Sequence, residues 1–317
     1  MIDRKAATEA PEQPGILELI ATGMSHILVV PWLLLVPILL EGWFLFAPGV
    51  NSTRLTHSLG SWFDGRNNAN AADVARWFNE RGGWDVSGLV GFPMASVIDA
   101  LGSGDHYAPI DRTMFHPSAT IVLICAVGFM LLGLFMLALF EVLLAHSMDL
   151  IRTQRRPLML EILDRWLKFV SFVLFGTVAM LFLLGAVMIP IELLSAGGLS
   201  GDTIAVTLSL IGLAALVIAM FVPEAITTDG LWPIAALRAS AEVVFHSFWR
   251  TLGFYVVSLL IGPGLLPLWK SMAHEAAGLV LAILLNAWLV TSLAIATLGF
   301  YRSRSEQIRS LQTTIRG

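Results

Sequence analysis

Four carboxylates and one amide interrupt stretches that are otherwise apolar. Glu41 and Glu192 lie toward one end of their runs, Glu141 and Glu224 toward the opposite end of theirs, and Asn286 sits in the middle of the last run. Burying an ionisable side chain in lipid is expensive, so each is a functional candidate by default. Acids at several depths suit one kind of chemistry: a polar path that relays a proton or a small cation. The competing reading is that each acid sits near an interface, solvated or paired locally. Asn286, with Ser258 in the neighbouring run, would then bond across helices, a contact typically contributing about 0.6–2 kcal/mol.

Other reactive residue types form weaker patterns. Asp105, His106, Asp111 and His116 resemble loose metal ligands, but their spacing matches no compact site, so no metal is expected. Ser25-His26, His146-Ser147 and His246-Ser247 suggest nucleophile–base pairs, yet sequence neighbours seldom point at each other. No Gly-x-Ser-x-Gly, phosphate loop or His-Glu-x-x-His occurs. Neither an enzyme nor a cofactor is expected. Cys125 is alone, which excludes an intramolecular disulfide.

The elements that must position these residues follow from composition. The 317 residues are 56% hydrophobic and 13% charged, with a mean hydropathy of +0.78. Soluble domains carry about 25% charged residues. The chain reads as an all-α, multi-pass membrane protein, one membrane domain over 1–317. A net charge of −4 with no basic stripe argues against nucleic-acid binding. Residues 1–15 are polar, so no cleavable signal peptide is expected.

A bilayer core of about 30 Å needs roughly 20 apolar residues in a helix. Six runs qualify, near 26–47, 118–146, 166–194, 203–223, 247–268 and 276–301. Backbone groups in lipid must be paired internally, which makes these runs helices. Segment 147–168 holds Arg152, Arg155, Arg156, Arg165 and Lys168, and the tail holds Arg302, Arg304, Arg309 and Arg316. The opposite short loops, 195–202 and 269–275, hold only Lys270. The positive-inside rule therefore places both termini in the cytoplasm of a cell membrane: 1–25, 147–165, 224–246 and the 302–317 tail face inward, and the 48–117 loop faces outward.

An internal repeat is visible. Pro14-Gly15-Ile16-Leu17-Glu18 precedes the first span and Pro157-Leu158-Met159-Leu160-Glu161 the third. Pro233-Ile234-Ala235-Ala236-Leu237 precedes the fifth without the Glu. Proline suits the first helical position and Glu the first turn. The intervals Pro14–Pro157 and Pro157–Pro233 are 143 and 76 residues. Their difference is close to the length of the 48–117 loop. Three units are expected, each an interfacial helix followed by a transmembrane hairpin, with the loop inserted in the first. The interfacial helices, within 1–25, 147–165 and 224–246, would lie in the headgroup plane. Trp32, Trp166 and Trp249 would anchor their junctions with the spans.

Proline and glycine add local expectations. Pro31, Pro37, Pro190 and Pro263 with Pro267 interrupt or end spans, and Ile261-Gly262-Pro263-Gly264 should end the fifth. Gly128 with Gly133, or Gly176 with Gly185, suggest close helix packing. In the outer loop, residues 70–81 should form a helix stopped by Gly82-Gly83, and 87–101 a second apolar stretch broken near Pro93. The loop would fold over the outer mouth, as a lid, a partner-binding cap or a passive cover.

The second half of the chain resembles a known group. Phe221-Val222-Pro223-Glu224-Ala225-Ile226, Ala235-Ala236-Leu237-Arg238-Ala239-Ser240 and Phe248-Trp249-Arg250-Thr251-Leu252-Gly253 are similar to the six-helix membrane domain of glycerophosphoryl diester phosphodiesterases and its stand-alone relatives of unknown function. The likeness covers roughly 147–301 and implies a membrane module. It does not imply phosphodiesterase activity, because the separate catalytic domain is absent, and the 48–117 loop departs from the compact family plan. The expected function is non-catalytic: a scaffold, accessory subunit or lipid-organising factor. The alternative is a small transporter or channel with a polar path through the bundle. Membrane lipids are the expected partners, with a protein partner open through the outer loop or the interfacial helices.

Overall fold

The computed structural model describes residues 14–65, 72, 75–76, 79–80, 83–91, 113–150, 157–196 and 201–316. Within these, the side chains of 183–196, 201–205, 207–208, 263, 266 and 314–316 fall outside the description. The architecture is all-α. Four helices are long and apolar enough to cross a membrane, or six if each of two bent pairs counts as one span.

The first bent pair is α1 (Ile16–Val29) and α2 (Leu35–Phe46), joined through a 3-10 turn at Pro31–Leu34. The bend is 102°. Pro31 causes it: proline lacks the N–H to continue the helix and pushes Val30 out of the helical region, to φ −128° and ψ 63°. His26 to Val29 thus belong to α1, a few residues later than the expected border at 25/26. Two short strands follow, β1 (Gly49–Val50) and β2 (Met114–Phe115), paired in parallel. They hydrogen-bond the two ends of the 48–117 loop to each other. Between them lie α3 (Thr53–Asp64) and a 3-10 turn at Val86–Gly91. Ala72, Ala75, Arg76, Asn79 and Glu80 are helical, as expected for 70–81, and the rest of that segment and 92–112 lie outside the described residues.

The Val86–Gly91 turn packs along α4 (Ala119–Ser147). Val86 clusters with Val50 and Val122, whereas the carbonyls of Leu89 and Val90 press on Gly133. Val122 and Gly133 are about 16 Å apart on a helix, so the turn runs down between α4 and α2. Glycine makes this possible: a Cβ on Gly133 would sit 2.6 Å from Val90 O, and one on Gly91 2.7 Å from the Phe44 ring.

After α4 the chain enters α5 (Leu158–Ala196), one unbroken helix. Among the described residues of 147–165, Ser147 belongs to α4, and Leu158 onward belongs to α5, which runs through Arg165 and Trp166 without a break instead of forming the separate interfacial helix expected there. No proline or glycine lies between Leu158 and Phe175. Two i,i+4 ion pairs also staple the junction, Glu161–Arg165 and Asp164–Lys168.

Next come α6 (Gly201–Ala219) and α7 (Val222–Asp229), separated where Pro223 cannot continue a helix. Ser240 repairs this break. Its hydroxyl accepts from Phe221 N at 3.1 Å and donates to Ile218 O. Ser240 belongs to α8 (Pro233–His246), which turns 102° at Ser247 into α9 (Phe248–Ile261). The Gly262-Pro263 break ends α9 as expected, and a short α10 (Leu266–Met272) leads to α11 (Ala276–Arg316).

The core gathers at the end of the bundle carrying Arg165, Lys168, Arg302 and Arg304. Leu134 to Leu144 of α4, Ile162 and Phe169 of α5, Phe221 to Ile226, Val243 and Val244, and Ile295 to Tyr301 pack there with α1. Toward the other end α5 and α6 expose Leu174, Phe175, Leu181, Phe182, Leu210 and Leu216. Apolar surface on this scale has no aqueous rationale and fits a lipid surround.

Candidate functional site

Four of the five polar candidates fall into two buried pairs. On α11, Asn286 Nδ2 donates to Glu41 Oε1 of α2 at 3.4 Å, with both residues at 5% exposure or less. Where α4 and α7 pack, Glu141 and Glu224 are each 6% exposed and close enough for their charges to repel. Oε2 of each accepts no hydrogen bond from any described residue. The Glu192 side chain lies outside the described residues. Ser258, expected to share the Asn286 contact, does not: its buried hydroxyl has no hydrogen-bond partner among the described residues.

The pairs occupy different levels. Glu224 acts electrostatically on Tyr301, 15 positions beyond Asn286 on α11. That separation is about 22 Å along a helix, most of a bilayer core. α11 is the common element, since it packs against both α2 and α7.

A charged network surrounds the lower pair. Arg165 Nη2 donates to Glu161 Oε1 at 3.3 Å and Nη1 to Asp164 Oδ2 at 3.2 Å. Lys168 Nζ donates to Asp164 Oδ2 at 2.6 Å and to Gly230 O at 3.0 Å. On the other side Tyr301 donates to Asp229 Oδ2 at 2.8 Å, and Arg309 pairs with the same oxygen at 2.7 Å. Asp229, Tyr301 and Arg309 were not legible as a group in the sequence. The one local signal was Asp229-Gly230 at a helix end, where Gly230 adopts φ +66°.

The serine–histidine candidates rearrange. His26 Nε2 lies 3.1 Å from Ser147 Oγ, which joins α1 to the end of α4. Ser147 donates its proton to Leu144 O at 2.7 Å, so His26 is the donor in the pair. That arrangement caps a helix and does not activate a nucleophile. Ser25 bonds Ala21 O within its own helix. Asp105, His106 and Asp111 lie outside the described residues, and His116 is exposed. Among the described residues, no three His, Cys, Asp or Glu side chains gather as metal ligands. Of the glycines, Gly133 does mediate close packing, whereas Gly128 and Gly176 meet nothing within 4 Å. Gly185 lies where side-chain surroundings are outside the description.

Fold and site together define an all-α protein of long apolar helices, compatible with a membrane, whose interior holds buried carboxylates. Comparison with protein-family models, with curated proteins and with solved structures finds no match.

Proposed function

We propose that the chain is a non-catalytic multi-pass protein of the cell membrane, acting as a scaffold, accessory subunit or lipid-organising factor. The pair of right-angle corners carries this reading. At each, a helix turns 102° into the next, and the outside of the corner is apolar and aromatic: Leu28, Val29 and Trp32 at one, Phe245, Phe248 and Trp249 at the other. Such a helix suits the headgroup plane, with tryptophan at the boundary. In this reading there are six spans, the repeat relates the two corner units most closely, and both termini face the cytoplasm beside the basic segments. The resemblance to the phosphodiesterase-associated membrane domain supports a module that works beside other proteins or lipids.

Gentle purification followed by native mass spectrometry tests it. A stoichiometric second protein, or specific lipids lost in a Phe245→Ser/Trp249→Ser variant, supports the reading. A lone protein whose bound lipids ignore that variant overturns it.

The Glu41–Asn286 contact favours a second reading, a small transporter or channel. Ionisable groups held inside a bundle mark ion and proton pathways. Solute uptake into proteoliposomes that Glu41→Gln abolishes would support transport, and absence of any ion or solute flux would remove it.

A further inference from the structure

We propose that Glu141 and Glu224 form a cation-binding site at the contact of α4 and α7, holding either a shared proton or one small monovalent metal ion between their carboxyl groups.

The geometry supports this in three ways. The two side chains come from different helices, are both buried where those helices pack, and lie close enough for their charges to act on each other. Each leaves one buried oxygen, Oε2, without a donor among the described residues. Thr227 lies one turn beyond Glu224 on α7, and its hydroxyl is also buried with no hydrogen-bond partner among the described residues. Residues three apart share a helix face. The three groups offer carboxyl and hydroxyl oxygens, the ligand set that suits hard cations and protons.

Among the described residues, the surrounding charges are engaged with other partners or exposed. On α11, Tyr301 is committed to Asp229, Arg309 pairs with the same Asp229, and Arg304 bonds Gln307. On α5, Arg165 is engaged by Glu161 and Asp164, and Lys168 by Asp164. From α1, His26 is engaged by Ser147, at the C-terminal end of α4 and about 9 Å along the helix from Glu141. On α8 the charged and titratable side chains Arg238, Glu242 and His246 are exposed. Two like charges in an apolar core without a counter-ion are strongly unfavourable. A cation between them removes the repulsion and fills both vacant acceptor positions. The site stands whether the protein organises lipid or moves a solute, because neither reading depends on it.

The test is thermal unfolding of the full chain in detergent or nanodiscs. Sodium chloride is compared with choline chloride at equal ionic strength, and pH is varied from about 6 to about 9. A shared proton predicts a melting temperature that falls as pH rises, independent of sodium. A metal ion predicts a melting temperature that rises with sodium. In both cases Glu141→Gln/Glu224→Gln loses the dependence. A wild type that responds to neither, or a double variant that responds in full, overturns the proposal. Should the double variant not fold, infrared spectra of the wild type and of Glu224→Gln replace it. A protonated-carboxyl band lost in Glu224→Gln, or a carboxylate band shifted by sodium, supports the site. Purely ionised carboxylates indifferent to sodium overturn it.

Discussion

Asn286 on α11 donates to Glu41 on α2, across 3.4 Å and 245 positions of sequence. This contact ties α11 to α2. Polar contacts between membrane helices contribute about 0.6–2 kcal/mol. Asn286→Leu and Glu41→Leu should therefore each shift unfolding, and the double variant should cost less than their sum by about that amount. A double-mutant cycle in chemical denaturation measures it. Additive effects would show that the pair does not interact energetically.

Gly23 of α1 lies against the backbone of Ser292 on α11, so close that any Cβ would collide with the Ser292 carbonyl. Because the obstacle is backbone, it cannot rotate away. Gly23→Val should destabilise by about 1–3 kcal/mol, the usual cost of overpacking. Gly128→Ala, where nothing lies within 4 Å, should be neutral or mildly stabilising. Melting temperatures of the two variants check the contrast.

Gly230 joins α7 to α8 with φ +66°, beside the Arg165 guanidinium. Gly230→Ala should lose about 1–2 kcal/mol from the left-handed backbone alone, and more from crowding Arg165. Arg165→Met should cost about 3–5 kcal/mol, the penalty for removing one member of a buried ion pair. If both variants unfold with wild-type midpoints, the Arg165 network contributes nothing to stability.

Asp229 accepts from Tyr301 and pairs with Arg309 through one oxygen. It is the clamp between α7 and the last turns of α11. Asp229→Asn weakens both interactions without changing side-chain size. Amide hydrogen exchange should then speed up over 302–316 while 276–299 stays protected. Unchanged exchange in 302–316 would mean that the terminal turns are held by other contacts.

Much of the architecture was legible because its causes are local. Hydropathy summed over about 20 residues locates a lipid-length helix: the run at 118–146 is matched by Ala119–Ser147, and the run at 276–301 begins α11, which continues through the expected tail to Arg316. Proline chemistry acts at its own position, so the ends at Val30–Pro31 and Gly262-Pro263 follow from sequence alone. The continuity of α5 across Arg165 and Trp166 was harder to see. It depends on ion pairs that form only when a helix is already there.

The pairing of the polar residues was decided by tertiary structure. A sequence shows that Glu41, Glu141, Glu224 and Asn286 are out of place in apolar runs, but not which face of each helix they occupy relative to a neighbour. Helix rotation and crossing are set by ridge-and-groove packing over many side chains, and by glycines such as Gly23 and Gly133 where backbones nearly touch. The same packing placed the Val86–Gly91 turn between helices instead of above them. Transfer free energy is a property of each residue and can be read in order along the chain. Contact is a property of two surfaces, and it exists only once both have folded.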